Sequence, residues 1–410
     1  MKVLIVSQYF WPESFRINDV ATGLVDSGYE VTVLTGKPNY PQGKFYKGYG
    51  FFSKSKEKYH NVTIIRVPML PRGKSGIFKL VFNYMSYALS ASLLAPFLCD
   101  KDYDCILVYQ MSPVIQGIPA IVLKKLYKIP VLFWVQDLWP ESLMAVGAVN
   151  NKKVLNILSN LVGWLYRSSD KVLIQSEAFY EHALQHGVNK NDICYLPNSA
   201  EELYKPVVPS TESEIAKLIP EGFVVMFAGN VGVAQDMESL LKAAEITAVN
   251  HEIQWVIVGD GRDLVRMQSE IKLRQLTKTV HCLGRHPIEK MPEFFSHADI
   301  MLVSLTNDPI FASTIPAKIQ SYMACGKPVI ASLDGIGAEV IEKSQAGFVA
   351  GAEKPDKLAA VVLKAASLPK AELDKMGENA LKFYMDNFER NMLLKKLVDI
   401  MQSLHTKADK

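Results

Sequence analysis

Short unbroken apolar runs alternate with longer stretches of helical spacing along most of the chain. In the first half the runs are Lys2–Ser7, Glu30–Thr35, Cys105–Tyr109, Val131–Val135 and Lys171–Gln175. In the second they are Phe223–Ala228, Trp255–Val258, Val280–Leu283, Asp299–Leu305 and Val329–Ala331. Runs of this length, apolar at successive positions, predict parallel strands covered on both faces. Helices are predicted through Leu24 and near Val114–Tyr127, Lys152–Tyr166 and Ala178–His186. The alternation makes the chain α/β, and the restart at Phe223 makes a second, similar half. At the end of the chain, Leu393, Leu394, Leu397, Ile400, Met401 and Leu404 fall on one face of a helix over Asn391–Leu404.

One stretch breaks the alternation. Leu80–Leu98 holds nineteen residues without a charge. As a helix it is about 28 Å long, enough for the hydrocarbon core of a bilayer. Asn83, Ser86 and Ser90 nonetheless form a polar stripe, and Pro96 interrupts the end. The pattern predicts a helix of the domain with a membrane-touching face rather than a span. Immediately before it, Lys37–Lys79 contains ten Lys and Arg (Lys37, Lys44, Lys47, Lys54, Lys56, Lys58, Arg66, Arg72, Lys74, Lys79) against one acid, Glu57. Phe45, Tyr46, Tyr49, Phe51, Phe52 and Tyr59 are interleaved with them. Anionic lipid and single-stranded nucleic acid both suit such a segment. No nucleic-acid module accompanies it, so an anionic membrane surface is the expected partner and nucleic acid is not.

The candidate chemistry gathers in Phe311–Ser332, FASTIPAKIQSYMACGKPVIAS. Ser313 and Thr314 are natural helix caps and Pro316 suits a first helical turn. Lys318 then adds a positive charge to a helix start that already favours anions, and is expected to be exposed there. The arrangement suits a diphosphate, and equally an ordinary capped αβ unit with a surface lysine. Gly259–Asp260–Gly261–Arg262 follows a strand and opens a helix, a place for a phosphate or nucleoside contact. No G-x-G-x-x-G follows the first strand, which argues against a dinucleotide dehydrogenase. Asp137 stands just past a strand, where open α/β sheets place ligands and where helix caps also sit.

Met323–Ala324–Cys325–Gly326–Lys327–Pro328–Val329 resembles the "A-M-A-x-G-x-P-V" signature of glycosyltransferase family 4. The likeness runs through most of the chain. Ser27–Gly43 resembles "rGHeVtVlTgxPnYP", Pro197–Pro206 the "iPNGvDxxxFxP" connector, and Asp334–Glu339 the "DGxxxxxI" turn. It is nearest to the bacterial transferases of N-acetyl-fucosamine type, which act in O-antigen and capsule synthesis. The resemblance implies the GT-B fold: two doubly wound Rossmann-like domains with a cleft between them. Residues 1–199 are then the acceptor-side, membrane-facing domain, 200–388 the nucleotide-sugar domain, and 389–410 a helix returning to the first.

It further implies transfer of a 6-deoxy amino sugar, L-fucosamine-like, from a UDP-sugar to a lipid-linked saccharide, with retention. No metal or cofactor is expected to be required. Lys318 and Asp137 are the catalytic candidates, Asp137 lying in a loop similar to the family's acceptor-side "xxDxxP" together with Trp139. Arg16 is a further acceptor-side cation. Donor-binding candidates are Gly229, Asn230, Gln235, Gly259, Gly261, Arg262, Gly284, Arg285, Ser313, Thr314, Ile315, Ser321 and Glu339. The chain also departs from the family. Asn230 and Gln235 stand where many members carry Arg and Lys, and Ser313 and Ser321 where they carry a carboxylate pair. His286 reads as a loop residue rather than a base. An epimerase of the same architecture and a non-catalytic nucleotide-sugar-binding subunit are the rival readings.

Length and charge agree with this picture. A chain of 410 residues suits two domains of about 200 each. Residues 1–200 carry 21 basic and 14 acidic side chains, and the remainder 24 and 28, as expected for one membrane-facing and one soluble half. Five scattered cysteines without metal spacing predict free thiols. MKVLIVSQYF has too short an apolar run for a signal peptide, so a cytoplasmic protein on the inner face of the plasma membrane is expected.

Overall fold

A computed structural model describes residues 1–73, 76–145, 149, 151–249 and 252–408. The chain forms two units, one of Met1–Pro197 with the C-terminal segment from Asn391, the other Asn198–Arg390. In the first, strands β1 (Lys2–Val6), β2 (Glu30–Thr35), β3 (Lys56–Tyr59), β4 (Val62–Arg66), β5 (Cys105–Gln110), β6 (Val131–Val135), β7 (Lys171–Ile174) and β8 (Ile193–Tyr195) form one sheet. Its order is β3-β4-β2-β1-β5-β6-β7-β8, parallel throughout except for the edge hairpin β3–β4. In the second, β9 (Phe223–Ala228), β10 (Ile253–Val258), β11 (Val280–Gly284), β12 (Ile300–Ser304), β13 (Val329–Ser332) and β14 (Gly347–Val349) line up as β11-β10-β9-β12-β13-β14, all parallel.

Central strands are buried on both faces because their side chains alternate between two cores. Leu4 and Val6 of β1 point to one, Val3 and Ile5 to the other. The second core also takes Leu393, Leu394, Leu397, Val398, Met401 and Leu404, so the C-terminal helix Arg390–Ala408 packs on the sheet of the first unit. In each sheet the order reverses beside the first strand, between β1 and β5 and between β9 and β12. Adjacent connections diverge there and leave a crevice at the carboxyl ends of the strands.

The long apolar helix spans Ile77–Leu98 and turns its polar stripe inward. Asn83, Tyr87, Ala88, Ala91 and Ala95 are its buried residues. Asn83 Nδ2 donates to Leu70 O (2.6 Å), and Ser86 Oγ accepts from Leu70 N (2.9 Å). The large apolar side chains face out: Phe78 is 76% exposed, Phe97 85%, and Phe82, Met85, Leu89 and Leu93 more than half. By length and composition this helix could cross a membrane, and 28% of its apolar window is buried in the protein.

The basic segment before it is less uniform than its composition suggests. Lys37 and Arg66 are buried. Lys37 donates to the carbonyls of Ser53 and Lys54, and Arg66 pairs with Glu57 and donates to Gly36 O and Trp11 O. These two cations hold the edge hairpin and are not available to a surface. Lys74 lies outside the described residues.

Candidate active site

The second unit builds its site where β9 and β12 part. Helix Ala317–Ala324 is pinned there by Tyr322, whose buried hydroxyl accepts from Ala228 N and donates to Ala228 O, both at 3.0 Å. Lys318 lies one turn earlier on the same face. Its ammonium sits 3.5 Å from the centroid of the Phe227 ring and has no hydrogen-bond partner in the protein. Gly229 has φ +135°, which favours glycine, and a Cβ there would lie 2.6 Å from Lys318 Cε and push the lysine's end out of this place. The stem keeps partial exposure while the nitrogen is enclosed. Burial lowers its pKa to about 7. The lysine is therefore not the exposed first-turn cation expected from its position, but is folded back onto the end of β9.

The helix also begins later than expected. Ser313 and Thr314 do not cap it. They close a preceding short helix, Pro309–Ala312, and their hydroxyls donate back to Pro309 O (2.8 Å) and Ile310 O (3.0 Å). Asp308 caps that short helix by accepting from Ile310 N (2.9 Å). Pro316 occupies the cap of the next one, without a side-chain bond. A proline disfavours the α region in the residue before it, and this breaks the run at Ile315. Ser321 Oγ bonds Ala317 O (3.2 Å) and the Ile315 side chain packs in the core.

Several other candidates share the same end of the sheet. Asn230 Nδ2 and Gly232 N both donate to Gln235 Oε1 at 3.1 Å, so the two amides that replace the usual cations brace the loop after β9. A Cβ on Gly259 would stand 1.8 Å from Gly229 O, and one on Gly261 2.0 Å from Val231 O. The G-x-G thus packs two loops together, which is a structural reason for its glycines. Gly284 ends β11 at φ +76° and its carbonyl accepts from Gly259 N (2.8 Å). Arg262 and Arg285 are exposed on the loops after β10 and β11. Glu339 is exposed in helix Ile336–Ser344 and paired with Lys343 (2.9 Å). Ser304 Oγ, buried at the end of β12 without a partner, carries no signal in the sequence.

In the first unit the carboxyl ends of β1, β5 and β6 form a second polar group. Asp137 Oδ2 accepts from both N and Oγ of Ser112 at 2.8 Å, and burial raises the carboxyl's pKa. Trp139 is buried and donates to Ser112 Oγ (2.9 Å), so its indole supports the Asp137 loop from behind. Arg16 is half-buried at the start of helix Arg16–Asp26. Glu13 escaped the sequence reading. It is buried, accepts from Asn39 N (2.8 Å) and Tyr40 N (2.6 Å), and burial pushes its pKa up to about 7. Gln8 Oε1, Tyr9 Oη and Gln110 Oε1 are buried here without partners.

A cavity of about 590 Å³ in the second unit lies at the opposite, amino ends of β9, β12 and β13, against Val224, Asp299, Lys327 and Pro328, and contains none of these candidates. Among the described residues no three His, Cys, Asp or Glu side chains come together as a metal site.

The two units match separate families. Residues 14–199 match the family described as Glycosyl transferase 4-like domain, and residues 210–383 that described as Glycosyl transferases group 1. The chain is 21% identical over 339 residues, 80% of its length and 82% of the relative's, to the putative colanic acid biosynthesis glycosyl transferase WcaI of Escherichia coli K12. Among solved structures, Anabaena Alr3699/HepE in complex with UDP superposes with a TM-score of 0.70 at 16% identity, covering 98% of this chain and 100% of that one. Sucrose-phosphate synthase from Thermosynechococcus elongatus gives 0.76 at 16%, covering 99% of each.

Proposed function

We infer that this chain, a glycosyltransferase of GT-B fold made of a glycosyl transferase 4-like domain followed by a group 1 domain, moves a sugar from a UDP-linked donor to a saccharide on a lipid carrier, in the synthesis of a surface polysaccharide. One observation carries the reading: the buried, unpartnered ammonium of Lys318 at the switch point of the second sheet. A cation enclosed without a counter-charge is costly unless an anion meets it. The phosphates of a nucleotide sugar supply that anion, and the complex of Alr3699/HepE with UDP supports the choice of nucleotide. The relative named for colanic acid biosynthesis supports a polysaccharide product.

On this reading the bond from the sugar's C1 to the β-phosphate oxygen breaks as the acceptor oxygen bonds C1 on the same face. The departing phosphate takes the acceptor's proton, and the configuration is retained. Charge grows on the β-phosphate, where Lys318 stabilises it, a role in which one lost donor costs about 3–4 kcal/mol. The donor is a 6-deoxy amino sugar of L-fucosamine type. Asp137 turns its less-engaged oxygen, Oδ1, to an acceptor hydroxyl. The enzyme works at the cytoplasmic face of the membrane, with the outward residues of helix Ile77–Leu98 in the lipid.

Purified enzyme, a panel of UDP-amino sugars and a lipid-linked acceptor test this by mass spectrometry. A product whose mass has grown by one sugar residue, formed only with acceptor present, supports it. An isomerised donor without acceptor would make the chain an epimerase, and donor binding without turnover a binding subunit.

A further inference from the structure

We propose that Arg72, with the hydroxyls of Tyr9 and Tyr84, forms a site in the first unit for the diphosphate of the lipid carrier. This rests on the proposed function and names how the acceptor is held. Arg72 lies shortly before helix Ile77–Leu98, and Tyr84 is on that helix. No carboxylate reaches salt-bridge distance of Arg72 among the described residues. Its guanidinium is instead 5.2 Å from the centroid of the Tyr40 ring, and its backbone N–H is fixed by Asn39 Oδ1 at 2.9 Å. A half-buried arginine with tyrosines but no carboxylate around it keeps most of its donor fork for a planar or tetrahedral oxyanion.

Tyr9 is the independent sign of a ligand. Only 3% of it is exposed, its ring packed against Phe15 (5.3 Å) and Tyr40 (5.8 Å), yet its hydroxyl makes no hydrogen bond of good geometry, with Arg72 and Tyr84 only near enough to act on it. Packing alone would be served by phenylalanine, and a buried hydroxyl is normally bonded. Arg72 acts directly on the Tyr9 hydroxyl and Tyr9 on that of Tyr84, and the charge of Asp137 also reaches Tyr84. Arg72 and Tyr9 both lie against the Tyr40 ring, at 5.2 and 5.8 Å, so the guanidinium and the buried phenol share one neighbourhood. The anion belongs beside Arg72, away from the repelling carboxylate.

The surroundings choose a lipid phosphate over a free one. Phe78, Phe82, Met85, Leu89 and Leu93 are exposed along the same helix that carries Tyr84. An anionic site at the foot of an outward apolar stripe fits a molecule with a charged head and a hydrocarbon tail. The saccharide on that head is then led toward Asp137.

The test uses the full chain with farnesyl diphosphate, inorganic pyrophosphate and phosphatidylglycerol vesicles as probes, and Arg72→Gln and Tyr9→Phe as variants. Farnesyl diphosphate should bind the wild type, and pyrophosphate more weakly. Arg72→Gln should weaken both by about tenfold or more, the scale of a lost charge-assisted hydrogen bond, while UDP and vesicle binding stay within about twofold. Tyr9→Phe removes one oxygen and should weaken farnesyl diphosphate about threefold or more with an unchanged melting temperature, so it decides the matter if the arginine variant folds poorly. In turnover, both variants should raise KM for the lipid-linked acceptor and leave KM for the donor. Equal diphosphate binding by wild type and variants overturns the site. Vesicle binding falling in step with diphosphate binding would make Arg72 a general lipid contact and also overturn it. Calorimetry reads the site even where no sugar is transferred, so failure of the proposed reaction is seen separately.

Discussion

Replacing Lys318 with methionine separates folding from function. The methionine keeps an unbranched stem between Gly229 and Phe227 and removes the charge. Lowering the ammonium's pKa from 10.5 to about 7 corresponds to a cost of about 5 kcal/mol for keeping it charged in the fold. Lys318→Met should therefore stabilise the second unit by about 4–5 kcal/mol at pH 6–7, raising its melting temperature by roughly 10–20 °C. The sign follows from linkage. Between pH 7 and 10.5 the unfolded chain binds the proton and the folded one does not, so wild-type stability rises with pH across that window. The gap between variant and wild type should close as pH rises, and be widest below pH 7. Sugar transfer should fall by roughly 100-fold or more. Calorimetric melts at pH 6, 8 and 10, with transfer measured by mass spectrometry, give both numbers. A variant no more stable than wild type at pH 6, or one that still transfers sugar at near the wild-type rate, would refute the reasoning.

UDP affinity should fall by up to tenfold per pH unit above about 7, because binding favours the charged Lys318. Below about pH 6 the β-phosphate gains a proton and affinity falls again, so calorimetry across pH 5–9 should show a maximum between; a flat profile above 7 contradicts the role of this lysine. Phe78→Glu with Phe82→Glu should reduce sedimentation with phosphatidylglycerol vesicles by about a hundredfold without lowering the melting temperature, since both rings are exposed; unchanged sedimentation would remove this helix from the membrane contact. Gly261→Ala forces a methyl to 2.0 Å from Val231 O and should cost about 2–4 kcal/mol. It should also weaken UDP binding by displacing the loop at Gly229; a melt and a UDP titration indistinguishable from wild type would show that the two loops part freely.

Strands were the most legible part of the chain. Val131–Val135 and Ile300–Ser304 are apolar at nearly every position and buried throughout, as two-sided cover requires. The helix Ile77–Leu98 showed its polar stripe but not which way it pointed. Direction is set by Asn83 and Ser86 bonding the Leu70 backbone, a tertiary contact no spacing reports. The start of helix Ala317–Ala324 was misplaced because two cap signals compete: Asp308–Pro309 claims the earlier turn and leaves Ser313 and Thr314 as its end. Lys318 was found by its place near a helix start. Its burial depends on Gly229 and Phe227, far away in sequence and brought in by strand order. Arg72 shows in the sequence only as one of ten basic residues, and Tyr9 and Tyr84 carry no signal there, for the same reason. Tyr9 lies in the loop after β1, Arg72 and Tyr84 in the connection from β4 to β5, and only the fold brings Tyr9 and Arg72 to the same Tyr40 ring.

The most direct test of the account is the structure of the full chain with UDP. The β-phosphate should lie in hydrogen-bond reach of Lys318 Nζ, about 2.7–3.2 Å, over Gly229 and beside the start of helix Ala317–Ala324. A diphosphate held instead by Arg262 or Arg285, with Lys318 still against the Phe227 ring and touching no oxygen, would contradict it.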